Sequence, residues 1–431
     1  RARAMPQWCR LLAVGGILAL VLLAPPLRPG SMAWALCRGR PLRGGPRLRP
    51  RVVARGKGHL HGNPTGGVFL DEVTQELHQR YHQATLDYTT QNIEWVQNKG
   101  FAVDELLPSE EEREQVWRAS RSRIFRFPHV EARDMHRVEF ADQSPQRFVR
   151  EGVDPEAAGD PGDNVFVVNL PRRPTKLRHA LEQLHTAGVN GVIIDGVDGD
   201  AFVCQQDMDD LGVSTLPNYI GHANTLPFLT SGQLGCFMSH FAIWQHMVDN
   251  NISCALILED DFDLQENFAV RLGQYLEEAH AHGEDWNLMY LGRSPTEGDW
   301  REVSEHIVEP GYTLWTVAYL LKLEVAKAFV EGHVERRFAP LDHYFSVAMG
   351  KGLDLHWNDQ AQEWAKHIPQ VMRGLAVRPP LVMPWAGSMF LSDTAMMRKG
   401  TKYMKDLPVE RPETVEWTPG IGMGPDGPKG F

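Results

Sequence analysis

Glu259, Asp260 and Asp261 stand in consecutive positions, directly after the apolar run Ala255-Leu256-Ile257-Leu258. Three adjacent carboxylates repel one another, so a divalent cation is their natural partner. Hard oxygen donors select Mg²⁺ or Mn²⁺ over softer metals. A short, uninterrupted apolar run suits a strand buried on both faces, as in a parallel sheet covered by helices. Ligands in such sheets bind beyond the carboxyl ends of the strands, where the three acids would sit. Side chains alternate along a strand, so Glu259 and Asp261 should face one side and Asp260 the other. The same residues also read as a solvated loop, with Asp263 capping a helix that resumes at Leu264.

The elements that would position this run alternate in type. Val165 to Leu170 reads as a buried strand, and Pro174 and Thr175 open a helix with Leu177, Leu181 and Leu184 on one face. That helix should end at Gly188, before a second strand, Val192-Ile193-Ile194-Asp195-Gly196; together they imply a right-handed βαβ unit. No G-x-G-x-x-G follows the first strand, which disfavours a dinucleotide site. Instead the chain reads Asn169-Leu170-Pro171-Arg172-Arg173-Pro174. An arginine beyond a strand end suits a diphosphate through paired, charge-assisted hydrogen bonds; Arg172 and Arg173 also read as exposed helix-entry charges. Thr230-Ser231-Gly232-Gln233 fits a capping box, and Leu234, Phe237, Phe241, Trp244 and Val248 form one stripe of the helix that follows. His240, at the edge of that stripe, reads as a hydrogen-bonded structural histidine, with a ligand or base as the alternative. After the acids, Leu264, Phe268, Leu272 and Tyr275 mark another helix.

The stretch Leu229-Thr230-Ser231-Gly232-Gln233-Leu234-Gly235-Cys236-Phe237-Met238-Ser239-His240, with Trp244 and then Leu258-Glu259-Asp260-Asp261, resembles glycosyltransferase family 25. That family's pattern runs roughly L-T-x-G-E-I-G-C-x-x-S-H…W, followed by L-E-D-D at a strand end; here Gln233 replaces the usual Glu. Its members include bacterial lipopolysaccharide glycosyltransferases and animal procollagen galactosyltransferases. Asn169-Leu170-Pro171-Arg172-Arg173 resembles the opening V-x-N-L-x-R-R, and Asp195-Gly196 the D-G turn. Trp286-Asn287-Leu288-Met289-Tyr290-Leu291-Gly292 resembles W-D-x-x-Y-L-G with Asn287 in place of Asp. Trp315-Thr316-Val317-Ala318-Tyr319, Pro340-Leu341-Asp342 and Ser392-Asp393 resemble later motifs, so the likeness spans about Val165 to Thr394.

The resemblance implies an α/β, GT-A-like Rossmann-type nucleotide-sugar fold with a mostly parallel central sheet. It implies transfer of a hexose, galactose first, from a UDP-sugar to an acceptor hydroxyl on a glycan or protein, with inversion. Mn²⁺ or Mg²⁺ on Glu259, Asp260 and Asp261 would neutralise the leaving group. Asn169, Arg172, Arg173, Asp195 and Gly196 would serve the donor. Asp342 is the candidate base and Asp393 the second; each also reads as a helix cap or a donor-hydroxyl contact. Two rivals stand beside this reading: a catalytically silent carbohydrate-binding or scaffold protein that kept the fold, and a metal-dependent phosphohydrolase using the same acids.

Composition bounds the remainder. A chain of 431 residues holds one large domain or two modest ones. The division expected is a targeting leader over 1–64, a helical extension over 65–140, a linker over 141–164, a glycosyltransferase domain over 165–395 and an irregular tail over 396–431. Net charge is −11, although the first 70 residues contain no Asp or Glu; the acidic remainder argues against nucleic acid as a partner. Arg10, the apolar run Leu11 to Ala24 and Ala33-Trp34-Ala35 fit a signal peptide with a cleavage site. This points to the secretory pathway, in the ER or Golgi lumen, with a short signal anchor as the only membrane contact. The Arg-rich stretch Arg38 to Lys57 keeps a plastid destination, through a bipartite leader, as the alternative. Five cysteines without a C-x-x-C pair exclude a disulfide framework and argue against a structural zinc site, leaving Cys204, Cys236 and Cys254 as buried thiols with one disulfide at most as the alternative.

Overall fold

The computed structural model describes residues 127–385, apart from 131, 141–143, 203, 218, 220–228 and 354–358, together with 404 and 407–409. The leader, most of the helical extension, Asp393 and nearly all of the tail lie outside the described residues. Everything described falls in one unit, Val68–Phe431.

In chain order the elements are β1 (Met135–Val138), α1 (Pro155–Ala158), β2 (Val165–Asn169), α2 (Pro174–Ala187) and β3 (Gly191–Asp195). Then come α3 (Gln206–Asp210), α4 (Ser231–Asp249), β4 (Cys254–Glu259), β5 (Phe262–Leu264) and α5 (Phe268–Ala281). The remainder comprises β6 (Leu288–Pro295), β7 (Arg301–Glu302), β8 (Ile307–Glu309), β9 (Thr313–Lys322), α6 (Leu323–Glu331), α7 (Leu341–Ala348), α8 (Asp359–Trp364), β10 (Gly374–Val377) and β11 (Val382–Pro384).

Among the described residues, nine strands form one sheet in the order β1-β3-β2-β4-β9-β6-β10-β8-β7. β2 pairs in parallel with both β3 and β4, and β6 with β10. β9 runs antiparallel between β4 and β6. The sheet is therefore mixed: β2, β3, β4, β6, β7 and β10 point one way and β1, β8 and β9 the other. Alternation along each strand feeds two cores. Phe166, Ala255 and Ile257 pack on one face with α4, α6 and α7, while Val165, Val167, Leu256 and Leu258 pack on the other with α2 and α5. This two-sided burial is why β2 and β4 read as unbroken apolar runs.

α4 is the central helix. Its capping box forms in full, with Thr230 accepting from Gln233 and Gln233 reaching back to the Thr230 backbone. Burial extends beyond the expected stripe to Met238, His240, Ala242, Ile243 and Met247. A helix apolar on nearly every side belongs inside the protein, and this one lies between the sheet and the α6–α7 layer.

Three expectations change. First, the region read as helical ends in a strand: Met135–Val138 forms the edge of the sheet against β3. Second, the linker is a packed strap from 144 onward. Asp160 is buried and accepts from the backbone N–H of Phe148 and Val149, and Gly273 on α5 lets Phe148 approach to where a Cβ would sit 2.0 Å from its carbonyl oxygen. Side-chain-to-backbone bonds order this segment, and they leave no periodic trace. Third, no helix starts at Leu264 and Asp263 caps nothing. Phe262–Leu264 pairs antiparallel with β11, and α5 begins after Asn267 in a left-handed conformation. Asn287, where the family pattern has Asp, donates to Val371 O and accepts from Arg373 N, a double role a carboxylate lacks.

Candidate functional site

At the carboxyl ends of β2, β3 and β4 lies an open cleft of about 640 Å³. Glu259, Asp260 and Asp261 line it, as do Arg172 and Lys176 from the start of α2, Asp198 and Asp200 after β3, and Cys236 and His240 from α4.

Two glycines bring the β3 loop against α4. A Cβ on Gly199 would sit 1.9 Å from Ser231 O, and one on Gly235 would sit 2.5 Å from Val197 O. Ser239 completes the junction, its hydroxyl accepting from Val197 N and donating to Gly235 O. These contacts fix Asp198, which pairs with Arg172 through Nε at 2.5 Å and Nη2 at 3.1 Å. Arg172 is buried, contrary to its reading as an exposed helix-entry charge.

The three acids have different surroundings. Asp260 turns inward, accepting from Asn169 Nδ2 at 2.7 Å and from Lys176 Nζ at 3.1 Å. Asp261 lies 3.4 Å from the same ammonium, and its backbone carbonyl accepts from Trp385 N. Glu259 accepts from the Thr316 hydroxyl at 2.5 Å. Thr316 lies on β9, one residue after Trp315, whose φ is +70°. Burial raises the proton affinity of Glu259, and the negative charge of Asp261 raises it further. Burial does the same to Asp260, against the opposing pull of Lys176. The alternation expected of a strand is met only in part: Glu259 and Asp260 have separate partners, but Asp261, beyond the end of β4, shares Lys176 with Asp260 instead of siding with Glu259.

His240 is fully buried, its Nδ1 2.7 Å from the Tyr319 hydroxyl, and burial lowers its pKa to about 3. It is therefore a neutral, hydrogen-bonded histidine at neutral pH. The Cys236 thiol is pushed well up by burial and then by the charges of Glu259, Asp342 and Asp261. Cys204, Cys236 and Cys254 are free thiols; Cys236, only half-buried, stands in the cleft wall.

Of the sequence candidates, Arg172, Glu259, Asp260 and Asp261 meet in the cleft. Asn169 lies beneath it, bridging Asp260 and the Arg173 carbonyl. Arg173 is buried at the N-cap of α2. Asp195 turns to the sheet edge and pairs with His136 of β1, so it does not line the cleft. Gly196 donates its N–H to Asn169 O and serves the turn. Asp342 sits in the first turn of α7, where its carboxylate accepts from His343 N and its charge reaches Cys236 and Tyr290. Sequence reasoning passed over Lys176, Thr316 and Cys236 as site residues. Lys176 carried a signal, falling in the first turn of the helix that Pro174 opens, just after Arg172 and Arg173.

The strand order, with β9 reversed beside β4 and acids at the end of β4, defines a GT-A-like nucleotide-sugar fold. Residues 163–310 match the family model described as glycosyltransferase family 25 (LPS biosynthesis protein). Over this span the chain is similar to glycosyltransferase family 25. It is 35% identical over 238 residues to a Bos taurus protein named probable inactive glycosyltransferase 25 family member 3, covering 54% of this chain and 39% of that one. It is 31% identical over 240 residues to procollagen galactosyltransferase 1 of Danio rerio, covering 54% and 38%. It is 29% identical over 193 residues to human procollagen galactosyltransferase 2, covering 44% and 30%. The chain thus spans about two fifths or less of the length of the curated relatives it matches.

Proposed function

We propose that this domain binds a nucleotide sugar, a UDP-hexose first, and transfers the hexose, galactose first, to a hydroxyl of a glycan or protein acceptor with inversion. The observation that carries the reading is the meeting of Glu259, Asp261 and Lys176 in one cleft at the strand ends. Oxygen donors there suit Mg²⁺ or Mn²⁺, and an ammonium suits a phosphate. Glu259 and Asp261 fit such a cation, because the charge of Asp261 raises the cost of ionising Glu259 and a cation relieves it. Asp260 does not fit as a ligand, being turned to Asn169 and Lys176. When bound, the cation supplies neutralisation of the charge that builds on the departing diphosphate. The chain's own residues do the remainder. Lys176 faces the donor phosphates, Asp260 and Asn169 hold Lys176 and the β4 turn in place, and Asp342 takes the proton of the acceptor hydroxyl. The influence of Asp342 on Cys236, alongside that of Glu259 and Asp261, supports a carboxylate near the same cleft.

The test is a nucleotide-sugar panel scored by thermal shift with and without Mn²⁺, followed by donor hydrolysis and transfer assays. Stabilisation by one donor that depends on the cation, with turnover, is the expected result. No response to any nucleotide sugar would sink the proposal, and hydrolysis of simple phosphate esters would favour a phosphohydrolase.

A second reading, a silent carbohydrate-binding protein, draws support from Lys176. Its ammonium already neutralises Asp260 and Asp261, as an inert site would require. Donor binding without turnover would select it. For the leader we propose entry into the secretory pathway, in the ER or Golgi lumen. No helix among the described residues is long and apolar enough to cross a membrane. N-terminal sequencing of the secreted chain should find a start near Leu36; retention of the run Leu11 to Ala24 in a membrane fraction would favour an anchor.

A further inference from the structure

Cys236, His240 and Glu259 face one another in the wall of the cleft. One ligand atom from each, thiol sulphur, imidazole nitrogen and carboxylate oxygen, lies within 4.8 Å of the others. Cys236 and His240 stand four residues apart on α4, hence on the same helix face, and Glu259 comes from the end of β4. His240 is fully buried, and its Nε2 has no hydrogen-bond partner among the described residues. That nitrogen lies 3.9 Å from Glu259 Oε1, beyond hydrogen-bond reach. Neither tautomer repairs the deficit. With the proton on Nδ1, the ring donates to Tyr319 and leaves a bare lone pair on Nε2; with the proton on Nε2, it leaves an unaccepted N–H. A buried nitrogen in this state is rare and needs an explanation, for which an ion is a natural candidate.

We propose that Cys236, His240 and Glu259 form a site for a borderline-soft divalent ion of the zinc type, with its fourth position open to the cleft. A sulphur, nitrogen and oxygen donor set suits zinc, whereas Mg²⁺ and Mn²⁺ favour oxygen alone. Zinc bonds of about 2.0–2.3 Å place tetrahedral ligands roughly 3.3–3.7 Å apart, a small side-chain adjustment from the spacing here. The supporting contacts are those of a metal site. The Tyr319 hydroxyl holds the imidazole through Nδ1, and Trp244 Nε1 lies 3.4 Å from the same oxygen. Because the indole can only donate, that oxygen is an acceptor, which is compatible with a proton on Nδ1 and a lone pair on Nε2. Thr316 steadies Glu259 in the same way. Cys236 and Glu259 line the cleft, so a ligand entering it reaches the open position. The site shares Glu259 with the oxygen pair of the proposed transferase, yet it requires only metal binding and no turnover.

The test uses the full chain, stripped of metal by chelation and titrated with Co²⁺. Stoichiometric cobalt should give a thiolate-to-metal charge-transfer band with d–d bands of tetrahedral intensity, bleached by added Zn²⁺. Cys236→Ser should abolish the charge-transfer band, while Cys204→Ser and Cys254→Ser should leave it intact. Tyr319→Phe keeps all three ligands and should weaken cobalt binding about 10–100-fold without removing the band. Because His240→Gln alters the core itself, Cys236→Ser carries the test, with circular dichroism to verify its fold. A folded wild type without the band, or a band that survives Cys236→Ser, overturns the proposal. Failure of the transferase reading would appear in the nucleotide-sugar panel and leave these spectra unchanged.

Discussion

The Lys176 ammonium lies 3.1 Å from Asp260 Oδ1, with side-chain exposures of only 6% and 9%. A pair buried this far is retained because removing one partner strands the other's charge away from water. Lys176→Met should therefore cost about 3–5 kcal/mol in denaturant unfolding. Adding Asp260→Asn to that variant should recover part of the loss. Simple additivity of the two changes would show that the pair is not coupled.

Asp261→Asn tests the oxygen pair. Glu259 loses the neighbouring charge that raises its proton affinity, so the fold should hold or gain slightly. Cation-dependent donor binding should vanish. A variant with full activity and unaltered Mn²⁺ dependence would remove Asp261 from the site.

Asp342→Asn separates binding from proton transfer. Donor affinity by thermal shift should survive while turnover falls roughly 10²–10⁴-fold, the usual span for losing a general base. Lost donor binding with residual turnover at saturating donor would move Asp342 into the donor site.

Acid should destabilise the domain through its buried histidines. Burial lowers the pKa of His240 to about 3, and it lowers that of His343, which is hydrogen-bonded to the Tyr312 hydroxyl. In the unfolded chain both protonate near pH 6.5, so the unfolded state binds more protons below that value. Their contribution is fully present above pH 6.5 and is lost progressively as pH falls toward the folded values. Each should add up to about 1.4 kcal/mol of lost stability per pH unit. Glu259 and Asp260, whose proton affinity burial raises, act in the opposite sense, so the histidine contribution is read as a difference: from pH 7 to pH 5 the unfolding free energy of His343→Gln should fall less, relative to its pH 7 value, than that of the wild type.

Gly199→Ala tests the junction that holds the β3 loop against α4. The new Cβ would meet Ser231 O at 1.9 Å and Ser231 C at 2.3 Å, both backbone atoms that cannot swing aside. The variant should lose about 1–3 kcal/mol or more, as overpacking does. Gly188→Ala, at a left-handed helix cap with open space around it, should cost less because it meets only backbone strain. Equal losses would argue that loop packing is not what fixes Gly199.

The sequence by itself determined the strands β2, β3 and β4, the capped start of α4 and the placement of acids at a strand end. Each is a local pattern: an apolar run, a capping box, a charge cluster next to a strand. The family motifs marked the later stretches Trp286 to Gly292 and Trp315 to Tyr319, whose places in the sheet came only from the structure. What each acid does was not legible there. Glu259, Asp260 and Asp261 are adjacent letters, yet one faces Thr316 and His240 while the next faces Asn169 and Lys176, partners 57 and 19 residues from Glu259 and 91 and 84 from Asp260. The same holds for Asp195, which resembles a donor contact but pairs with His136 because β1 closes the sheet edge beside it. Alternation tells which side of a strand a side chain takes. Only the packing of α2, α4 and β9 around β4 decided what waits on that side, because those contacts join segments distant in the chain.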